Sequence, residues 1–287
     1  MKLGLVLEGG GVRGIYTAGV LDCLMDHGIT FHGVIGVSAG AIHGCSFLSG
    51  QRGRSIRYYT KYSRDYRFMS MRSFLTTGNV VGVDFCYHEL PDKLDVYDHD
   101  AFLQNGVPFY TVCTNVETGK AEYLRISDMR GQIDYLRASA SLPYFSRIVE
   151  IEGKKYLDGG CADSIPLKAF EELGYARNLV ILTREEGYLK KPEKALLASV
   201  YRRYPAFRHT LLHRHECYNA QSAYVKQQQA QGRAFVIRPS SALNIGRLEK
   251  DPAEIQRVYN IGYADATEKI EELKRFIAQF IAQEHTV

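Results

Sequence analysis

The chain has 287 residues, 45% hydrophobic and 24% charged, with a formal net charge of +4 at pH 7. That composition supplies apolar material for one large core and is too weakly basic for the chain as a whole to be a nucleic-acid binder. The six cysteines (Cys23, Cys45, Cys86, Cys113, Cys161, Cys217) are scattered without a C-x-x-C pair, which leaves zinc and thioredoxin-type sites without support and reads as reduced core residues.

Residues 3–7 read as a buried strand, and the apolar stretch they form is too short for a signal peptide. Glu8-Gly9-Gly10-Gly11-Val12-Arg13-Gly14 follows, then a helix over about 15–27 with Val20, Leu21 and Leu24 on its apolar face and Gly28 as its stop. Residues 31–35 form a second buried strand, and a helix begins at Ala39 and runs to about Gly50.

Residues 51–106 break this pattern and read as an insertion or cap, partly helical. Between Gln51 and Arg72 stand seven basic residues (Arg52, Arg54, Arg57, Lys61, Arg64, Arg67, Arg72) and one acid, Asp65, interleaved with Tyr58, Tyr59, Tyr62, Tyr66, Phe68, Met69 and Met71. Beyond Thr76 the block looks irregular. Two readings compete: a solvated helix face whose tyrosines cover the core, or an interfacial patch that draws the protein to anionic lipid.

Strand patterns return at 107–116 and 121–126, followed by a helix over 133–141 stopped by Pro143. Residues 147–151 and 154–157 form a hairpin around Glu152-Gly153 that ends at Asp158-Gly159-Gly160. A helix follows Pro166, with Ser164 placed to cap it. A strand at 178–183 precedes long helical patterns over 193–232 and 252–284, separated by a strand at 234–238. Strands alternating with helices predict an α/β protein whose mostly parallel sheet is covered on both faces. No run approaches the ~20 apolar residues of a membrane span, so a cytoplasmic protein is expected. Without a repeat or clear linker, 1–175 are expected to form a core on which 176–287 pack within one structural unit.

Three local features bear on chemistry. The first is Gly36-Val37-Ser38-Ala39-Gly40, a G-x-S-x-G between a strand and a helix. It predicts a sharp turn that pushes the Ser38 hydroxyl out of the sheet beside a helix N-terminus. The second is the glycine loop, which satisfies G-x-G-x-x-G. A dinucleotide site would need an acid at the end of the second strand, and residues 30–35 hold none. A phosphate loop would need Gly-Lys-Ser/Thr, also missing. The N–H groups of Gly9, Gly10 and Gly11, with Ala39, are instead expected to hold an oxyanion facing Ser38.

A serine nucleophile needs a base. His209, His213 and His215 lie in an Arg-rich helical stretch, His285 lies in the C-terminal tail, and His32 and His43 read as packing or surface residues. Asp158 is the better candidate: it ends a strand, and the two glycines after it let the backbone pass close to another loop. Asp163 is its rival but looks like part of a helix entrance.

In this order, Gly9-Gly10-Gly11-Val12-Arg13-Gly14, Gly36-Val37-Ser38-Ala39-Gly40 and Asp158-Gly159-Gly160 resemble the motifs of the patatin-like phospholipases, and Ala138-Ser139-Ala140-Ser141-Leu142-Pro143 resembles a family segment upstream of the aspartate. The resemblance covers about residues 4–175. It implies a three-layer α/β/α sandwich, a Ser38-Asp158 dyad without histidine, and hydrolysis of lipid acyl esters of the phospholipase or lysophospholipase kind. Neither a metal nor an organic cofactor is required. The expected partners are a lipid or other acyl ester and, through residues 52–72, an anionic membrane surface at the inner face. The alternatives are a soluble esterase or acyltransferase, or a catalytically silent lipid- or protein-binding module.

Overall fold

The computed structural model describes residues 2–284. In chain order, β1 (Leu3–Leu7) leads through a 3-10 turn, Gly11–Gly14, into α1 (Ile15–Asp26), and β2 (Gly33–Val37) turns into α2 (Ala39–Leu48). The insertion holds α3 (Arg54–Tyr62), α4 (Met71–Thr77), a π-helical stretch Phe85–Leu94 and α5 (His99–Asn105). The chain continues with β3 (Phe109–Asn115), β4 (Ala121–Ile126), α6 (Ile133–Ser139), β5 (Val149–Ile151), β6 (Lys154–Asp158), α7 (Leu167–Glu172) and β7 (Arg177–Ile181). Last come α8 (Ala195–Ala198), α9 (Pro205–Ala230), β8 (Ala234–Ile237) and α10 (Pro252–Glu284).

The eight described strands share one sheet, with β3, β2, β1, β7 and β8 as successive parallel neighbours. Side chains alternate between its faces. On β1, Leu3, Leu5 and Leu7 enter one core with Val20 and Leu24 of α1 and Val258 and Leu273 of α10. Val6 enters the other with Phe170 of α7 and Val225 of α9. The result is the expected three-layer α/β/α sandwich, and its parallel strands are buried on both sides as such sheets require.

The pairing of β3 places the site. β4 runs antiparallel along Phe109 to Thr114 and fills one edge. The other edge is shared: β2 pairs with Phe109 to Val112, and β6 arrives antiparallel opposite Cys113 to Asn115. The ends of β2 and β6 therefore meet along a single edge.

Helix α10 crosses α1 closely enough that only glycine fits at the contact. A Cβ on Gly19 would sit 2.1 Å from the Tyr259 carbonyl oxygen, and one on Gly262 would sit 2.0 Å from the Tyr16 carbonyl oxygen. Tyr259 and Tyr16 hydroxyls donate to Asp22 and Asp265, at 2.8 Å each.

Several elements differ from the expectation. The region beyond Thr76 is helical rather than irregular, with Pro91 inside the π-helical stretch. The long helix expected from residue 193 starts at Pro205, which fixes the first turn and lacks the N–H that a continuing helix would need. Ser164 does not cap α7; its hydroxyl donates to the Gly160 carbonyl at 2.8 Å, and Pro166 takes the capping position without a side-chain bond.

Replacing Gly262 by Ala should lower the unfolding free energy in urea by at least about 1 kcal/mol. Overpacking against a backbone carbonyl outweighs the roughly 1 kcal/mol that Ala gains over Gly inside a helix. An unchanged midpoint would show that the crossing can yield.

Candidate active site

Ser38 stands between β2 and α2 with φ +54° and ψ −122°, a conformation disfavoured for a residue with a side chain. Close packing holds it there. A Cβ on Gly36 would lie 2.6 Å from the backbone of Ala41, and one on Gly40 would lie 2.6 Å from the Leu7 carbonyl oxygen. The two glycines of the motif let β2, α2 and β1 touch backbone to backbone. The Ser38 N–H donates to Ser139 Oγ at 2.9 Å.

The Ser38 hydroxyl donates to Asp158 Oδ2 at 2.7 Å, and both side chains are buried. Gly160 N–H donates to the other carboxylate oxygen at 2.8 Å. The Asp158 backbone is fixed on both sides: its N–H donates to the Ser141 carbonyl at 2.8 Å, and its own carbonyl accepts from Thr114 Oγ1 at 2.9 Å. Gly159 passes so close to β3 that a Cβ would fall 2.0 Å from the Val112 carbonyl oxygen. Burial raises the Asp158 pKa, against the opposing pull of Arg214, the Ser38 hydroxyl, Gly160 N–H and Arg247. The rival, Asp163, accepts instead from Tyr123 OH at 2.8 Å.

The glycine loop lies against Ser38: a Cβ on Gly9 would be 3.0 Å from that of Ser38. Gly9, Gly10 and Gly11 line one small cavity with Ser38 and Asp158. Among the described residues, the N–H groups of these glycines meet no acceptor, while Val12 N–H is taken by the Arg247 carbonyl at 3.1 Å. Gly14 abuts the start of α2, where a Cβ would be 2.7 Å from that of Ala39. Arg13 is buried and its Nε donates to Thr183 Oγ1 at 3.2 Å. Beneath the loop, the Glu8 carboxylate accepts from Thr183 N–H at 2.6 Å and from Tyr218 OH at 2.8 Å.

The histidines are engaged elsewhere. His43 is fully buried beside Ser55 Oγ at 2.9 Å, and burial pushes its pKa down to about 3, so the ring is neutral. His32 Nδ1 accepts from Leu3 N–H at 3.0 Å. His209 and His213 stack on each other at 4.0 Å, and His215 Nδ1 contacts the Leu212 carbonyl at 3.0 Å. His285 lies outside the described residues. Among the described residues, no cluster of three His, Cys, Asp or Glu side chains is placed to hold a metal.

Comparison with known proteins matches the patatin-like phospholipase model to residues 5–171, more than half of the chain. The chain belongs to this family. A second match, to a domain of unknown function (DUF6363), covers residues 204–278. The chain is similar to the uncharacterized protein YjjU of Escherichia coli, 32% identical over 185 residues that cover 63% of this chain and 51% of that one. It is also similar to lysophospholipase nte1 of Aspergillus terreus, 29% identical over 179 residues that cover 60% of this chain and 11% of that one. It thus spans about half the length of the first and about a tenth of the second. The crystal structure of VipD from Legionella pneumophila aligns with a TM-score of 0.47 at 13% identity, covering 94% of this chain and 67% of that chain.

In this patatin-like protein two cavities meet at Ser38. One, about 370 Å³, is walled by the insertion and α6, including Tyr58, Tyr59, Phe68, Met69, Leu90 and Leu136. The other, about 30 Å³ with room for about two waters, is the polar one that contains Asp158 and the glycine loop.

The insertion itself departs from a free cationic patch. Arg52 pairs with Asp26, Arg54 and Arg57 with Asp95, Arg64 with Asp251, and Arg67 with Asp65 and Glu89. Tyr58, Tyr59, Tyr62, Phe68 and Met69 are buried. Lys61 and Arg72 lie over the rings of Tyr62 and Tyr66.

Ser139 is the residue that sequence reasoning left without a role. Changing Ser139 to Ala removes the acceptor of the Ser38 N–H and should slow labelling of Ser38 by a fluorophosphonate about 3- to 10-fold, the worth of one buried hydrogen bond. Labelling at the wild-type rate would show that the glycine packing alone holds the turn.

Proposed function

We propose that this protein is a serine acyl hydrolase that cleaves carboxylic esters of lipids through an acyl-Ser38 intermediate. The observation that carries this reading is the 2.7 Å bond from Ser38 to Asp158 at the mouth of a 370 Å³ apolar cavity. The acyl chain lies in that cavity, and the ester carbonyl rests against Ser38. Asp158 takes the hydroxyl proton as Oγ attacks, and the N–H groups of Gly9, Gly10 and Gly11 hold the developing oxyanion. Asp158 returns the proton to the leaving alcohol, then takes one from water as it attacks the acyl-enzyme. A lysophospholipase-type substrate fits the name of the fungal relative and a cavity that accepts one chain. Residues 1–175 supply the reacting groups, and 176–287 complete the same unit by adding β7 and β8 to the sheet.

We further infer peripheral contact with a membrane from the cytoplasmic side. No helix among the described residues is long and apolar enough to cross a membrane. The six free cysteines suit a reducing compartment. The contact is supported by α4, where Met71 and Leu75 are 53% and 80% exposed beside Arg72. Replacing Met71 and Leu75 together by Gln should lower hydrolysis of anionic phospholipid vesicles several-fold and spare a short soluble ester. Equal rates on vesicles would favour a soluble esterase or acyltransferase.

Ser38→Ala and Asp158→Asn should each abolish ester hydrolysis with the fold intact, since the pair acts as a unit. Wild-type activity in either variant would end the dyad reading.

The pH dependence follows from the site. Asp158 must be ionised to act, and burial raises its pKa, so kcat/KM should fall on the acid side at a pH above the ordinary carboxylate value of about 4. Arg214 opposes that rise. Arg214→Gln should therefore move the acid limb to higher pH, and a limb that stays in place would show that Asp158 does not control it.

A further inference from the structure

The chemistry proposed for Ser38 asks the glycine loop to hold still. Backbone N–H groups stabilise an oxyanion best when they are aimed before it forms, and glycine is the residue least able to fix its own backbone. Gly11 stands at φ +59°, and among the described residues the N–H groups of Gly9, Gly10 and Gly11 meet no acceptor that would tie them down. The loop is held at its two ends instead.

At the front end stands Glu8. Its buried carboxylate accepts from Thr183 N–H at 2.6 Å, from Thr183 Oγ1 at 3.1 Å and from Tyr218 OH at 2.8 Å. Thr183 Oγ1 also lies 3.3 Å from the Gly9 carbonyl oxygen. At the back end, Val12 N–H donates to the Arg247 carbonyl at 3.1 Å, and a Cβ on Gly11 would be 2.9 Å from that same oxygen. Thr183 follows β7, whereas Tyr218 and Arg247 both come from the 204–278 segment matched by the domain of unknown function.

Helix α9 of that segment turns one stripe toward the catalytic turns. Arg214, Tyr218 and Gln221 are four and three residues apart and so share a face. Arg214 Nε donates to the Gly160 carbonyl at 2.5 Å, in the turn after Asp158. Gln221 Oε1 accepts from the N–H groups of Ser164 and Ile165 at 3.1 and 3.2 Å, just beyond that turn. Tyr218 is the member that bears on the glycine loop. Its ring packs in a core with Val6 and Leu182 and meets Tyr188 edge-on at 5.8 Å. Burial and the Glu8 charge push the Tyr218 pKa up, so its hydroxyl remains a donor. A hydroxyl bonded to a carboxylate makes one of the stronger hydrogen bonds, and this one fixes the residue that leads into the three glycines.

We propose that Tyr218, acting through Glu8, is a positioning residue for the oxyanion loop, and that the C-terminal segment serves acyl transfer by this contact. The proposal rests on the acyl hydrolase reading and assigns a task to a segment outside the patatin-like match.

The test uses p-nitrophenyl butyrate, a short monomeric ester, and the full chain at a temperature well below the melting point of every variant. Tyr218→Phe keeps the ring in its core and removes only the donor. It should lower kcat about tenfold, as loss of a charged hydrogen bond behind the oxyanion loop allows, and leave KM within about twofold. Affinity for a short trifluoromethyl ketone, whose adduct on Ser38 places an oxyanion at the glycines, should fall with kcat by the same factor. Glu8→Gln, whose neutral amide grips the hydroxyl more weakly, should lower kcat by itself. In that background Tyr218→Phe should cost less than about threefold, since the two residues act through one bond. Should Tyr218→Phe fail to fold, Glu8→Gln carries the same test on kcat and on the ketone. Wild-type kcat in folded Tyr218→Phe or Glu8→Gln, a loss confined to KM, or an undiminished cost of Tyr218→Phe in the Glu8→Gln background overturns the positioning role and leaves the hydrolase reading in place. If the wild type neither cleaves the ester nor takes a fluorophosphonate on Ser38, the hydrolase reading itself falls and the positioning role falls with it.

Discussion

The site depends on one shared strand edge. Because β4 fills one side of β3, β2 and β6 must divide the other, β2 opposite Phe109 to Val112 and β6 opposite Cys113 to Asn115. Val37 pairs with Val112 and Asp158 with Cys113, so the residue after β2 and the last residue of β6 arrive side by side. A one-residue slip of β6 would turn the carboxylate to the opposite face of the sheet and away from Ser38. The hairpin through β5 and the bonds from Ser141 and Thr114 to the Asp158 backbone hold that register.

Burial gives the pair its chemical character. A solvated aspartate, with a pKa of about 4, is a weak base at neutral pH. Here the carboxylate is buried, and the hydroxyl of Ser38 and N–H of Gly160 replace only part of the solvation it loses. Ser38 shares the constraint. Its positive φ persists because Gly36 and Gly40 let three backbones close around it and Ser139 takes its N–H. Strain of about 1–3 kcal/mol is thus held by packing on every side of one residue. On the proposed mechanism it keeps the hydroxyl where α2 and the glycine loop can stabilise negative charge.

What was legible in the sequence is what glycine and strand spacing encode locally. The turn at Ser38, the loop at Gly9 to Gly11 and the close passage at Gly159 are each written in neighbouring residues, and the alternation of strands with helices announced the layers. What was illegible joins distant parts of the chain. Ser139 contributes a hydrogen bond across 101 residues, and Glu8 one across 175. Counting charges between Gln51 and Arg72 finds one acid among seven bases, yet the partners Asp26, Asp95, Glu89 and Asp251 lie outside that window. Local balance therefore misrepresents a surface that folding neutralises. Ser164 is a local exception: its hydroxyl is taken by the Gly160 carbonyl four residues back, which leaves it unavailable as a cap.

Folding does the reverse to the C-terminal segment. His209, His213 and His215 lie in an Arg-rich helical stretch, yet Arg214 within it reaches the Asp158 turn, and Arg247 further on closes over Gly11. The insertion, rich in bases, sets five of its arginines against carboxylates and its buried tyrosines in an apolar wall. At the polar wall, Arg214 and Arg247 of the C-terminal segment form no ion pair among the described residues. On the proposed function, an ester substrate is divided in the same way, an apolar acyl arm on one side of the carbonyl and a polar alcohol on the other. Ser38 sits where the two walls join. Arg247 lines both cavities, so the C-terminal segment touches the apolar wall as well as the polar one, and a change at that residue alters both sides of the strand edge that joins Ser38 to Asp158.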